Sequence, residues 1–205
     1  MYLVKSSYFI KKYYSNFIWK IPTAEKIIYL TFDDGPTPEI TEWTLTTLKK
    51  FNAKATFFCI GNNVSKHPII FNKIMREGHA VGNHTHHHLN GWHTNNETYL
   101  TNIKKCEEVV KSKLFRPPYG RIKKSQYELI KNDYQVIMWD VLSGDFDPKT
   151  SPEKCLNNVI HNTTEGSIVV FHDSMKATDN LKFTLPKILA HFAEQGYRFD
   201  KLELY

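Results

Sequence analysis

The chain has 205 residues, of which 41% are hydrophobic, 23% charged and 14% aromatic, and it carries a formal net charge of +6. That length suits one domain with a sizeable core and is cramped for two, and the composition is globular rather than disordered or membrane-embedded. The mild basicity suits an anionic partner such as a cell-wall polymer, but no Lys/Arg stripe with interleaved aromatics marks a nucleic-acid surface, and Cys59, Cys106 and Cys155 form no C-x-x-C pair that would suggest a zinc ribbon, redox dithiol or disulfide framework.

Residues 1–22 form an aromatic and basic segment in which Lys11-Lys12 and Lys20 interrupt Tyr8-Phe9-Ile10 and Phe17-Ile18-Trp19. No apolar run there reaches the length of a signal core or a membrane span, which leaves the localisation open between cytoplasm and envelope. The segment is read as a helix packing on the open end of the domain formed by residues 23–205, with contact to a membrane surface as its second use.

From residue 23 onward, short runs rich in β-branched and aromatic residues alternate with longer amphipathic stretches. Strands are expected at 26–32, 55–60, 79–83, 114–116, 135–139, 167–171 and 198–201. Helices are expected at 40–51, 63–77, 95–113, 123–132, 152–162 and 181–195. Gly78 and Gly196 stop two of them, and Asn96 is available as the cap of the longest. Strand-then-helix order calls for a parallel sheet with crossover helices, an α/β fold. About seven parallel strands favour a distorted (β/α) barrel. In such barrels active residues gather at the C-terminal strand ends, where Asp33-Asp34, His84 to His88, Arg116, Asp145 and His172-Asp173 all fall.

His84 and His88 are four apart, which on a helical turn places both imidazoles on one face. Asp34 supplies a third ligand. Two histidines and a carboxylate leave one position open, the pattern of a catalytic zinc site. The same donors also suit Co2+, Ni2+ or Fe2+. Neighbouring strand side chains alternate, so Asp33 points away from Asp34 and is placed to take a proton from water as general base. Arg116 is a partner that would orient it. Pro117 and Pro118 have no N–H, so the first free backbone donor after Arg116 is that of Tyr119, a candidate oxyanion donor. His172 ends the most apolar strand and can act as acid if a carboxylate keeps it protonated. Asp140, Asp145 and Asp147 are the three candidates for that carboxylate, and spacing does not separate them.

These motifs resemble the polysaccharide deacetylases of carbohydrate esterase family 4, the NodB-homology domain. The family's T-F-D-D-G stands as Thr31–Gly35, its H-[ST]-x-x-H as His84–His88, its R-x-P-[YF]-G as Arg116–Gly120, and its apolar-H-D as Phe171–Asp173. The resemblance implies one divalent metal on Asp34, His84 and His88, Asp33 as base oriented by Arg116, and His172 as acid with Asp145 behind it. It implies hydrolysis of acetyl groups on an N-acetylated amino-sugar glycan, peptidoglycan-like or chitin-like; separately, the chain is expected to act as a monomer. An O-acetyl esterase of the xylan type and a non-catalytic carbohydrate-binding relative are the alternatives. Phe146 and Leu142 depart from the family's D-x-x-D-W motif. Phe171 stands where leucine is frequent, and is expected to narrow the floor of the acetyl pocket against longer acyl groups.

Overall fold

The computed structural model describes residues 3–204, so residues 1 and 2 of the N-terminal segment and residue 205 lie outside it. In chain order the elements are α1 (Tyr8–Tyr13), β1 (Ile27–Asp33), α2 (Ile40–Lys50), β2 (Ala55–Cys59), α3 (Gly61–Lys66), α4 (Pro68–Arg76), β3 (Ala80–Asn83) and α5 (Asn96–Val110). They continue with β4 (Leu114–Phe115), α6 (Lys124–Ile130), β5 (Gln135–Val136), β6 (Val141–Leu142), α7 (Pro152–Ile160), β7 (Ile168–His172), α8 (Thr178–Glu194) and β8 (Arg198–Phe199).

The strands pair in the order β5-β4-β3-β2-β1-β7-β6, every pair parallel, with β8 beside the start of β1. All seven residues of β1 and all five of β2 are buried, as befits parallel strands covered on both faces. The outer face carries Leu30, Phe32 and Phe57 into a core with Leu45 and Leu48 of α2 and Leu185 and Ile188 of α8. The curled sheet is the expected distorted barrel, and it stays open between β5 and β6. The N-terminal segment lies in that opening. Ile18 bridges to Ile137 and Lys5 to Val141, and Met138 N–H donates to the Ile18 carbonyl at 2.7 Å. Phe17 and Trp19 are buried against Met138 and Val136 in a second apolar cluster. Asp140, its side chain 1% exposed, receives Lys5 at 2.6 Å and Lys11, and accepts from Ser167 at 2.7 Å. A buried carboxylate is tolerable only when paired in this way.

Several boundaries differ from the sequence reading for local reasons. The helix expected over 63–77 is two helices, because Pro68 lacks an N–H and forces His67 out of helical geometry (φ −128°, ψ 54°). The helix expected over 95–113 ends at Val110, where Lys111 turns left-handed at φ 42°, and its cap is Asn95 rather than Asn96. Strand β6, two residues long, is too short to announce itself by periodicity. Among the described residues no helix is long and apolar enough to cross a membrane.

Candidate active site

The site is assembled at the C-terminal ends of β1, β3, β4 and β7. On β1, Thr31 and Asp33 share the inner face while Phe32 enters the core. Continued alternation would send Asp34 into the core as well. Instead Asp34 adopts φ 80°, and both carboxylates reach one cavity of about 420 Å³. The carboxylates are separated by this left-handed turn rather than by strand alternation alone. Gly35 explains why the turn ends in glycine: an added Cβ would lie 2.0 Å from Asp173 Oδ2. Asp173 accepts from Gly35 N–H at 3.0 Å and from the Thr41 hydroxyl at 2.5 Å, so it clamps the Asp33-Asp34 turn from behind. Burial, with Asp34 nearby, pushes the Asp173 carboxyl up to about 8. Gly35→Ala should therefore cost about 3 kcal/mol or more through overpacking and a lost hydrogen bond. Thermal melting should register this as a fall in Tm of roughly 10 °C.

His84 and His88 do not sit on a helical turn. They lie in an irregular loop after β3, and positive φ values at Thr85 (61°) and His88 (55°) fold it until the two ring centroids are 5.1 Å apart. Asn102 holds the loop by accepting from the backbone N–H groups of His86 and His87 at 2.8 and 2.9 Å. His84 Nδ1–H donates to the Arg116 carbonyl at 2.7 Å, which fixes the tautomer and leaves Nε2 free. That Nε2 lies 3.7 Å from Asp34 Oδ1, and His88 Nε2 lies 3.1 Å from the same oxygen. One donor atom from each of the three residues falls within 4.8 Å of the others. Burial pushes His84 down to about 4, which keeps it neutral and in its ligating form. Burial opposes ionisation of Asp34, but the His88 hydrogen bond and the His172 charge hold it well below the usual carboxylate range. Two imidazole nitrogens and an ionised oxygen converging in this way are a donor set that fits one divalent cation. His86 and His87 turn away from it; His87 bonds Asn102.

Arg116 is fully buried and gives its donors to Asp33 Oδ1 (2.6 Å), Thr31 Oγ1 (2.8 Å) and the carbonyls of Ile137 (3.2 Å) and Met138 (3.0 Å). Its guanidinium also stacks 4.1 Å from the Phe58 ring centroid. Such a cation is stable in the interior only because Asp33 faces it.

His172 ends β7. Its Nδ1 lies 2.8 Å from Asp145 Oδ1, and its backbone N–H donates to Asp145 Oδ2 at 2.7 Å. Burial alone would lower the imidazole, but the Asp145 charge and hydrogen bond raise it to about 9. The structure separates the three acids. Asp140 is engaged by Lys5 and Lys11, Asp147 accepts from Lys149 N–H at 2.9 Å within its own turn, and Asp145 alone of the three meets His172.

Phe171 is not at the pocket floor. Strand alternation turns it into the core, 0% exposed and stacked 6.0 Å from Phe32. Val170, Leu142 and Trp139 line the cavity instead, so Phe171 does not select the acyl length by contact. Tyr119 stands on the rim, 60% exposed, with its ring 4.6 Å from that of His88. Its φ is 61°, and among the described residues its N–H has no hydrogen-bond partner. The sequence reading missed Asp173 as the clamp, Asn102 as the loop holder and Lys176, whose Nζ reaches within 3.4 Å of Asp34 Oδ2. Lys176 follows the H-D pair by three residues, a position that was legible in principle.

Known proteins resemble this chain over most of its length. The polysaccharide deacetylase family model matches residues 20–137. A peptidoglycan-N-acetylglucosamine deacetylase of Bacillus cereus is 38% identical over 191 residues, covering 88% of this chain and 88% of that protein. The crystal structure of a peptidoglycan N-acetylglucosamine deacetylase superposes with a TM-score of 0.88 at 32% identity, over 96% of this chain and 95% of that one. The peptidoglycan deacetylase PdaC of Bacillus subtilis gives a TM-score of 0.79 at 28% identity, over 89% and 90%. With the four motifs gathered at one rim of the sheet, the chain belongs to the polysaccharide deacetylase family.

Proposed function

We propose that this protein removes acetyl groups from N-acetylated amino sugars of a peptidoglycan- or chitin-like glycan. Asp34, His84 and His88 would hold one divalent cation, zinc first, with Co2+, Ni2+ and Fe2+ also meeting the donor set. The observation that carries this reading is the pairing of two proton-handling groups across one cavity. Asp33 is held by a buried arginine, whereas His172 is held by a buried aspartate.

When bound, the cation supplies a Lewis acid that polarises the acetyl carbonyl and acidifies water. Asp33, with Oδ1 tied to Arg116, accepts the proton of the attacking water on its other oxygen. The free N–H of Tyr119 donates to the carbonyl oxygen as charge develops there. His172, with Nδ1 committed to Asp145, delivers its proton from Nε2 to the leaving nitrogen. An amine leaves poorly unless protonated, so an acid held in its charged form matters more for an amide than for an ester. Val170, Leu142 and Trp139 give the methyl group an apolar wall. The exposed rings of Tyr8, Phe9 and Tyr13 on α1 suit contact with a membrane surface while the domain works on a glycan.

Acetate release from N-acetylglucosamine oligomers, peptidoglycan and acetylated xylan, before and after chelation with metal add-back, tests this reading. Loss on chelation and recovery on add-back, with the N-acetylated substrates preferred, is expected. Faster release from xylan would replace it with the O-acetyl esterase. No release from any substrate would leave the carbohydrate-binding relative. His84→Ala should take the metal content by elemental analysis from one ion per chain toward none, with activity that excess metal does not restore. Activity surviving thorough chelation would sink the mechanism.

A further inference from the structure

The active-site cavity does not end at the catalytic groups. It adjoins a second cavity of about 410 Å³, and the two share Tyr119, Gly120, Arg121, Trp139 and Leu142. The N-terminal segment contributes Tyr14, Phe17 and Trp19 to its lining. A space of this size adjoining a glycan site is large enough for one further sugar.

Arg121 lines both cavities, and Trp92 lines the second beside it. Trp92 is 51% exposed yet held in place. Its backbone N–H donates to Asn90 Oδ1 at 3.0 Å, and its indole N–H donates to the Ile122 carbonyl at 3.3 Å. The residue before it must be glycine, because a Cβ on Gly91 would lie 2.5 Å from the Arg121 carbonyl. The Gly91 N–H donates to that same carbonyl at 3.2 Å, and Gln126 Nε2 donates to the Gly91 carbonyl at 3.0 Å. Residues 90–93 are thus strapped to residues 121–122 and do not swing as a free loop. The Arg121 guanidinium lies 4.9 Å from the Trp92 ring centroid, and among the described residues no carboxylate pairs with it. A guanidinium lying over a ring keeps N–H donors that the ring does not engage, and these can bind a carboxylate in bidentate fashion.

We propose that Trp92 and Arg121 form a subsite for the sugar next to the one being deacetylated, and that this sugar carries a free carboxylate, as a muramic acid unit does where its lactyl group bears no peptide. The choice of glycan rests on the deacetylase reading of the adjoining cavity. Arg121 then decides between the two substrate classes that the catalytic groups leave open, because a chitin-like chain offers it no anion. The net charge of +6 draws any polyanion toward the protein, but only a placed guanidinium selects the position of the charge.

The test compares a peptidoglycan tetrasaccharide having free muramic carboxylates with its methyl ester, which has the same sugars without the charge. Calorimetric titration of Asp33→Asn protein reads binding without turnover. The free acid should bind about tenfold tighter than the ester, and adding Arg121→Gln should abolish that difference, with Arg121→Lys restoring part of it. In active enzyme, Arg121→Gln should raise KM for the free acid about tenfold, keep kcat within about twofold, and shift the kcat/KM ratio of acid to ester by the same factor. Equal affinity for acid and ester, or a preference that survives Arg121→Gln, overturns the subsite. Failure of the deacetylase reading shows separately, as absence of acetate from both compounds with wild-type protein, and the titration still decides the subsite in that event. Arg121 is exposed, so its replacement leaves the fold intact.

Discussion

Asp33→Asn is expected to lower kcat for acetate release about a thousandfold while one metal ion stays bound per chain. The substituted amide keeps the shape of the aspartate and still accepts a hydrogen bond from Arg116, but it has no basic oxygen to take a proton from water. The ligand residues Asp34, His84 and His88 are untouched, so elemental analysis should show no change. The substitution has a second consequence that an exposed base would lack. Arg116 is entirely buried and Asp33 is its only carboxylate partner among the described ion pairs. Leaving that cation without a counter-charge should cost about 3 kcal/mol of stability, visible as a lower Tm. Asp34→Asn should behave in the opposite manner, with metal content lost and the Arg116 pair intact. Loss of metal in Asp33→Asn, or a rate near wild type, would refute the division of labour between the two carboxylates.

Asp145→Asn should move the basic limb of the pH–kcat profile to lower pH and reduce the rate at pH 8 on the order of a hundredfold. Burial acts to strip the proton from His172, and the Asp145 carboxylate outweighs it, bringing the imidazole to about 9. With the carboxylate replaced by an amide, burial is left without its main opponent, and His172 falls below its ordinary value. The wild-type profile should hold its plateau through neutral pH and decline toward pH 9. A cation on Asp34 cancels one of the charges that raise His172, so metal loading shifts that decline to lower pH. The linked effect on stability has the same sign. A histidine whose value is raised on folding contributes fully below about pH 6.5, and that contribution fades as pH climbs toward 9. Profiles of wild type and Asp145→Asn that superpose would remove His172 as the acid.

The parallel strands and crossover helices follow from linear information, because a buried parallel strand needs a continuous apolar run and a crossover helix needs an amphipathic one. The chemical inventory is equally local: Asp33-Asp34, His84, His88, Arg116 and His172 fall at the ends of such runs. Which of Asp140, Asp145 and Asp147 supports His172 is not local. The choice depends on Lys5 and Lys11, more than a hundred residues away in sequence, occupying Asp140 through the N-terminal segment that fills the gap between β5 and β6.

The arrangement of ligands was legible in identity and misread in geometry. A spacing of four residues suggests a helical turn, yet His84 and His88 meet through left-handed residues at Thr85 and His88, held from outside by Asn102. Strand alternation sends Phe171 into the core, and it would have sent Asp34 there too without its positive φ. Such backbone turns are set by tertiary contacts, here Asp173 clamping Gly35, rather than by the propensity of the residue that makes them. By itself the sequence determined the fold class, the family motifs and the residue types of the site. The tertiary structure decided which carboxylate faces which partner, which side chains wall the cavity, and that a guanidinium stacked on Trp92 waits at the entrance to a second one. Residue type and periodicity are written along the chain, but the direction of a side chain and the charge opposite it depend on segments that meet only on folding.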